Sequence, residues 1–247
     1  MPRQARKKSE SGIYHIMLRG INKQKIFRDK QDYWRFLETL GKYKAESGYT
    51  IYAYCLMKNH AHILLKTGKE DLSMILKRIS GSYVYWYNLK YGRVGHLFQD
   101  RFRSEPVDDD TYFLTVLRYI HQNPVKAGFA EAPEGYAYSS YWDYINKNDD
   151  LVDISFAASI LGDMDFAEFH NEANNDECLD CEKKSRITDK EGMSVLKRIL
   201  KTRNVNDIVN FEENEKQELI RKMKSAGMSI RQISRLTGLG VGIVRKY

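Results

Sequence analysis

Two histidines spaced by two, His60 and His62 in MKNHAHILL, are residues of this 247-residue chain whose types and spacing could do chemistry. On a strand, alternation sends both imidazoles to one face, within reach of a single metal ion. Tyr119 and Asn123 in TVLRYIHQNPVKAG are spaced by four and share one helical face about one turn apart. Pro124 disfavours helical geometry in the residue before it. It therefore predicts Asn123 at a frayed helix end, where its amide oxygen can turn toward an ion. His121 points to a different helical face, belongs at the surface or a cap, and stands second to Asn123 as a third ligand. Two imidazoles and an amide suit a hard or borderline divalent ion with open positions for a phosphodiester oxygen. Such an ion acts as a Lewis acid. The Tyr119 hydroxyl is then placed to attack phosphorus, storing the bond energy in a covalent phosphotyrosine.

The elements that must hold these residues can be read from periodicity. Gly12 to Ile21 alternates as a strand, and Asp29 opens an amphipathic helix through Tyr33, Phe36, Leu37, Leu40 and Tyr43 that Gly48 stops. Tyr49–Met57 and His60–Lys66 read as strands joined at Lys58-Asn59. Leu72–Tyr91 reads as a helix broken near Gly81, Gly92–Val107 as a loop and strand, and Asp110–Gln122 as a third helix. This order predicts an α+β fold: a ferredoxin-like antiparallel sheet with helices on one face.

Four segments, YHIMLRGINKQKIF (14–27), YCLMKNHAHILL (54–65), GHLFQDRFRS (95–104) and RYIHQNPVKAG (118–128), resemble in order the single-tyrosine HUH transposases of the insertion-sequence-200/605 type. The likeness is greatest to the REP-associated branch and covers residues 10–145. One departure is Ala61, where the family's HUH motif carries a bulky apolar residue; both histidines are kept. The resemblance implies His60, His62 and Asn123 as ligands of Mg²⁺ or Mn²⁺ and Tyr119 as nucleophile. It further implies cleavage and rejoining of single-stranded DNA near a hairpin, with a 5′-phosphotyrosine and a free 3′-hydroxyl. Family members act as dimers or monomers, and the monomer is favoured here. Two rival readings are a domesticated, non-catalytic DNA-binding regulator and a relaxase-like or replication-initiator-like nicking enzyme. The intact His60, His62, Tyr119 and Asn123 weigh against the first, and the absence of a large helicase module against the second.

The charge distribution agrees with a polyanionic partner. The net +7 divides into +9 over residues 1–142, −11 over 143–182 and +9 over 183–247. This predicts a catalytic domain (1–145), an acidic connector (146–185) and a small all-α module (186–247). In the last, Lys190–Thr202 and Asn214–Ala226 read as helices. Ser229 caps a helix carrying Ile230, Ile233 and Leu236, and Gly238–Gly240 turns into a final helix. SIRQISRLTGLGVGIVRKY resembles a helix-turn-helix, with Arg245 and Lys246 available to duplex DNA. Arg101 and Arg103 are expected to alternate on one strand face as phosphate contacts, and the basic start at Arg3, Arg6, Lys7 and Lys8 as a backbone-binding arm. The Tyr83, Tyr85, Trp86, Tyr87 and Tyr91 stripe fits a buried helix face better than a base-stacking platform. Three cysteines make no disulfide framework, so a reducing cytoplasm is expected. Cys178-x-x-Cys181 lacks a second pair, which argues against structural zinc even with His170 nearby. No run approaches 18 apolar residues, so neither a membrane span nor a membrane partner is expected.

Overall fold

The computed structural model describes residues 6–99, 101–171, 178–179, 188–200 and 205–247. The chain divides into two units, Met1–Cys181 and Glu182–Tyr247. In the first unit the order is β1 (Ile13–Arg19), α1 (Lys30–Ser47), β2 (Thr50–Met57), β3 (His60–Lys66), α2 (Leu72–Lys90), β4 (Arg103–Pro106) and α3 (Asp110–Lys126). The sheet runs β2-β3-β1-β4, and every paired neighbour is antiparallel. This is the ferredoxin-like arrangement expected from the sequence.

Local chemistry sets the helix ends. Asp29 and Asp32 form a reciprocal capping box at the start of α1, and Gly48 ends it at φ 67°, a left-handed angle that glycine adopts freely. Asp109 caps α3 by accepting the Tyr112 amide at 2.7 Å. Between α1, α2 and the sheet, Phe27, Phe36 and Tyr83 meet edge-on or tilted at 5.1–5.8 Å between ring centroids. All three are fully buried, and each contributes about 1.5–3 kcal/mol by leaving water.

Four expectations are corrected. First, α2 runs unbroken through Gly81. A Cβ there would meet nothing within 4 Å, while Ile75, Leu76, Ile79, Tyr83 and Tyr87 are buried at helical spacing, so packing overrides the glycine. Second, α3 continues through Pro124 to Lys126. A proline in the last turn removes one amide donor without ending the helix when its neighbours are packed. Asn123 is consequently not frayed but 8% exposed. Third, α3 does not join α1 and α2: its Tyr119 packs against His15 and His62, on the sheet face opposite Leu18, which lines a groove with Leu76 and Val84 of α2.

The fourth concerns the acidic stretch, which up to residue 181 belongs to the first unit. Its helices α5 (Ser155–Leu161) and α6 (Phe166–Asn171) follow α4 (Tyr141–Ile145). Val152 and Ala157 are fully buried in the main core, and Phe166 stacks on Tyr144 at 4.5 Å. Asp149, Asp150 and Asp163 face solvent. The charge thus marked the wet side of a packed layer.

The second unit contains α7 (Asp189–Leu200), α8 (Glu213–Ser225), α9 (Ile230–Thr237) and α10 (Val241–Lys246). Leu196, Leu219, Ile220, Met223, Ile233 and Val244 form its own core. Ser229 caps α9 by accepting the Gln232 amide at 3.2 Å, and Gly238 ends it at φ 73°. α10 follows after a short turn at Leu239 and Gly240.

Candidate active site

Three neighbouring strands build the site through their register. His62 of β3 stands directly opposite Met17 of β1, and His15 lies one same-face step further along β1. His15 in turn stands opposite Glu105 of β4. His62, His15 and Glu105 therefore form a diagonal line across one sheet face. His15 Nε2 lies 2.9 Å from His62 Nδ1, and His15 Nδ1 lies 2.9 Å from Glu105 Oε1. Glu105 Oε1 also accepts the Leu179 amide at 2.9 Å.

His60 and His62 share this face, as alternation predicts, with ring centroids 5.1 Å apart. The Nδ1 of His60 is 2.7 Å from the Asn59 side-chain oxygen, which accepts its proton and leaves the ring lone pair on Nε2. His62 is completely buried, yet its Nε2 finds no hydrogen-bond partner among the described residues. Burial, followed by the neighbouring His15 and His60, holds His62 well below the usual imidazole range, so the ring is neutral. A buried, neutral imidazole nitrogen without a partner, beside a second imidazole, fits a metal ligand.

The α3 helix closes the site from above. Tyr119, 3% exposed, sits edge-on to both His15 and His62 at 5.7 Å. The Lys126 ammonium lies 4.8 Å from the centre of the Tyr119 ring. Asn123, one turn along the same helical face, is buried with Tyr119.

His121 is neither at the surface nor a cap, and it does not face this site. It is wholly buried, with Nδ1 2.9 Å from His170 Nε2 and Nε2 2.8 Å from Ser140 Oγ. His170 Nδ1 is 2.8 Å from the Phe166 carbonyl. Both ring nitrogens of His121 are thus committed to protein, which removes it as a third ligand. His170 is committed likewise. Cys178 is buried, and Cys181 lies outside the described residues.

Arg101 and Arg103 do not share a strand face, because β4 begins only at Arg103. Arg103 pairs with Met17 and so takes the histidine face. Arg101 lines the groove on the α2 side with Lys77, Phe98 and Phe102, a cavity of about 480 Å³. Arg6 stacks its guanidinium over Phe102 at 3.7 Å, whereas Arg3 lies outside the described residues. Tyr83 and Tyr87 are core residues whose hydroxyls donate to the Ile26 and Lys25 carbonyls, while Tyr85 is exposed. In the second unit Arg245 is exposed, and Lys246 pairs with Glu213 at 3.3 Å.

Residues 8–123 match the family model described as "Transposase IS200 like". This segment is an IS200-like transposase domain. The match runs from before β1 to Asn123 in α3 and so includes the strand that carries His60 and His62. Among solved structures, a REP-associated tyrosine transposase bound to a REP hairpin aligns with a TM-score of 0.51 at 18% identity, covering 73% of this chain and 100% of that one. At that identity the likeness is one of fold. A candidate transposase of Deinococcus radiodurans R1 aligns at 15% identity with a TM-score of 0.35 over 49% of this chain and 97% of that one, too slight a likeness to argue from. No curated protein matches the chain. No described helix of the transposase domain or its companion unit is long and apolar enough to cross a membrane.

Sequence reasoning missed His15, Glu105 and Arg19 of the transposase domain. His15 was visible only as one alternating residue of β1, and Glu105 as one acid in a loop-rich stretch. Arg19 stands directly opposite His60, so its side chain leaves on the histidine face. Only the pairing of β1 with β3 and β4 joins these residues to the HUH pair. Cys55, opposite His62 on β2, is fully buried, and burial pushes its thiol up, so it stays protonated and inert.

Proposed function

We propose that the chain cleaves and rejoins single-stranded DNA beside a hairpin through a covalent 5′-phosphotyrosine. The observation that carries this reading is that Tyr119 packs edge-on to His62, whose Nε2 has no hydrogen-bond partner among the described residues, in one buried site. His60 and His62, with the Asn123 amide, would hold Mg²⁺ or Mn²⁺. When bound, the ion supplies Lewis acidity toward a non-bridging oxygen of the scissile phosphate. The Tyr119 hydroxyl attacks phosphorus in line: its oxygen–phosphorus bond forms as the bond to the 3′ oxygen breaks. The phenolic proton is lost to solvent, and the 3′ oxygen takes up a proton as it leaves. Rejoining is the same path reversed from a 3′-hydroxyl. Lys126 and Arg19 supply positive charge on the nucleophile's face, and Arg103 adds a phosphate contact at the sheet edge. The hairpin bound by the REP-associated relative of like fold supports a hairpin substrate here. Arg101, beside Lys77 and two phenylalanines, suits the backbone of such a strand. The second unit would bind duplex DNA through α10, with Arg245 at its exposed end and Lys246 released from Glu213 on phosphate contact.

The test is incubation with Mn²⁺ and labelled single-stranded hairpins drawn from the DNA flanking the gene. The expected result is a covalent adduct that Tyr119→Phe abolishes. An adduct undiminished in Tyr119→Phe would overturn the nucleophile.

A further inference from the structure

Helix α3 ends in a Schellman turn. The Phe129 amide donates to the Pro124 carbonyl at 2.8 Å and the Gly128 amide to the Val125 carbonyl at 3.0 Å, with Gly128 at φ 70°. This folds Phe129 back to the residue that follows Asn123. An apolar residue at that point of the turn ordinarily covers the end of its own helix. Phe129 instead stays 48% exposed. The Lys58 ammonium lies over its ring, 5.3 Å from the centre and within cation–π range. Lys58 belongs to the two-residue turn between β2 and β3, next to Asn59, whose side-chain oxygen meets His60. The Lys58 carbonyl accepts the Ile26 and Phe27 amides at 2.8 and 3.1 Å, which fixes the turn. Phe129 is thus tied to both halves of the site: through Pro124 to Asn123, and through Lys58 to His60. The other exposed aromatic residues among those described, Trp34, Tyr85 and Trp142, lie on α1, α2 and α4.

We propose that Phe129 is the stacking platform for an unpaired nucleobase of the strand being cut, with Lys58 on a neighbouring phosphate. Every base has a π face, so an exposed ring holds a single strand whatever its sequence, and a nearby ammonium supplies charge to the backbone. Lys58 takes one side of the ring, and the exposed remainder is left to the base. Lys58 and Lys126 are both exposed, and Lys126 stands over Tyr119 as Lys58 does over Phe129. Two cation–aromatic pairs, one holding the nucleophile and one open, suit a strand whose bases and phosphates alternate. A base held on Phe129 flanks the phosphate offered to Tyr119 and removes rotational freedom from the scissile linkage. In a duplex that base face is covered by its stacked neighbours, so the platform selects single-stranded DNA. The inference rests on the reading of Tyr119 as the residue that cuts a single strand, and the experiment separates the two.

The full chain is mixed with labelled hairpins drawn from the DNA flanking the gene, with 5-iodouracil replacing single thymines of the unpaired flanks. Irradiation joins iodouracil to an aromatic ring stacked on it, and mass spectrometry maps the cross-links. Fluorescence anisotropy gives the affinities. One flank position is expected to cross-link to Phe129. Phe129→Ala should remove that cross-link and weaken binding about 5- to 150-fold, whereas Phe129→Trp should keep the affinity. An abasic site at the cross-linking position should weaken wild-type binding by a similar factor and cost Phe129→Ala nothing further. Lys58→Gln should lower the slope of log affinity against log salt by about 0.7, and an unchanged slope removes Lys58 from the phosphate. Cross-links absent, or confined to rings such as Phe98, Phe102 or Tyr85, overturn the platform on wild-type protein alone, whatever the variants do. Phe129→Ala binding as tightly as wild type overturns it as well. The adduct on Tyr119 is scored separately: a Phe129 cross-link without an adduct sinks the cleavage reading and keeps the platform, and an adduct without that cross-link does the reverse.

Discussion

Two buried histidine chains lie in the first unit, and they end differently. In one, the Phe166 carbonyl accepts from His170, His170 Nε2 accepts from His121, and His121 Nε2 meets the Ser140 hydroxyl. Every ring nitrogen has a protein partner. In the other, Glu105, His15 and His62 run in the same manner but stop at an Nε2 with no partner among the described residues. Both His62 and His121 are held well below the usual imidazole range, chiefly by burial. Burial and a displaced pKa therefore do not distinguish a working histidine from a structural one. The difference is whether the chain of hydrogen bonds closes.

The strongest way to break this comparison is to truncate both ends. His62→Ala should reduce Mn²⁺-dependent cleavage by more than about a thousandfold while leaving a folded protein. His121→Leu should do the reverse. It strands His170 Nε2 in the core, while Ser140 Oγ keeps the Tyr54 amide and carbonyl, and should cost about 1–3 kcal/mol in urea unfolding, with cleavage per folded molecule near wild type. Equal losses of cleavage in both variants would erase the distinction drawn here.

The closed chain also has a pH dependence that can be read on its own. Burial lowers His170 to about 4, from an unfolded value near 6.5. Below pH 6.5 the unfolded chain takes up a proton that the folded chain refuses. Stability is complete above that pH and falls by about 1.4 kcal/mol per unit down to pH 4. The His170→Gln variant should lack this component. Identical pH profiles for variant and wild type between pH 6.5 and 4 would contradict the assignment.

A smaller effect tests whether α2 stands apart from either chain. Gly81 has no positive φ, and a Cβ there meets nothing within 4 Å. Gly81→Ala should stabilise the protein by about 0.5–1 kcal/mol and leave cleavage unchanged. A destabilised variant would show that the open space around Gly81 is wrongly described.

The open chain was half legible in the sequence. His60 and His62 needed only strand alternation, and Tyr119 and Asn123 only the helical repeat, because each pair lies on one element. His15 and Glu105 needed the pairing of β1 with both β3 and β4, which no local period encodes. Local rules also misled at Pro124 and Gly81, where packed neighbours carry the helix past a residue that would end it in isolation. For His121 the helical face was read correctly as different from that of Tyr119. What the sequence could not show was that α4 and α6, from a stretch judged by its acidic charge, would bury that face.

The central claim is that the uncommitted nitrogen of His62 marks the metal position. Crystals soaked in Mn²⁺ and measured at the manganese edge test it most directly. The account predicts one anomalous peak at coordination distance from His62 Nε2 and the His60 ring, close to the Asn123 amide, with none at His121 or His170. Adduct formation on Tyr119 in crystals whose manganese lies away from both His60 and His62 would contradict it.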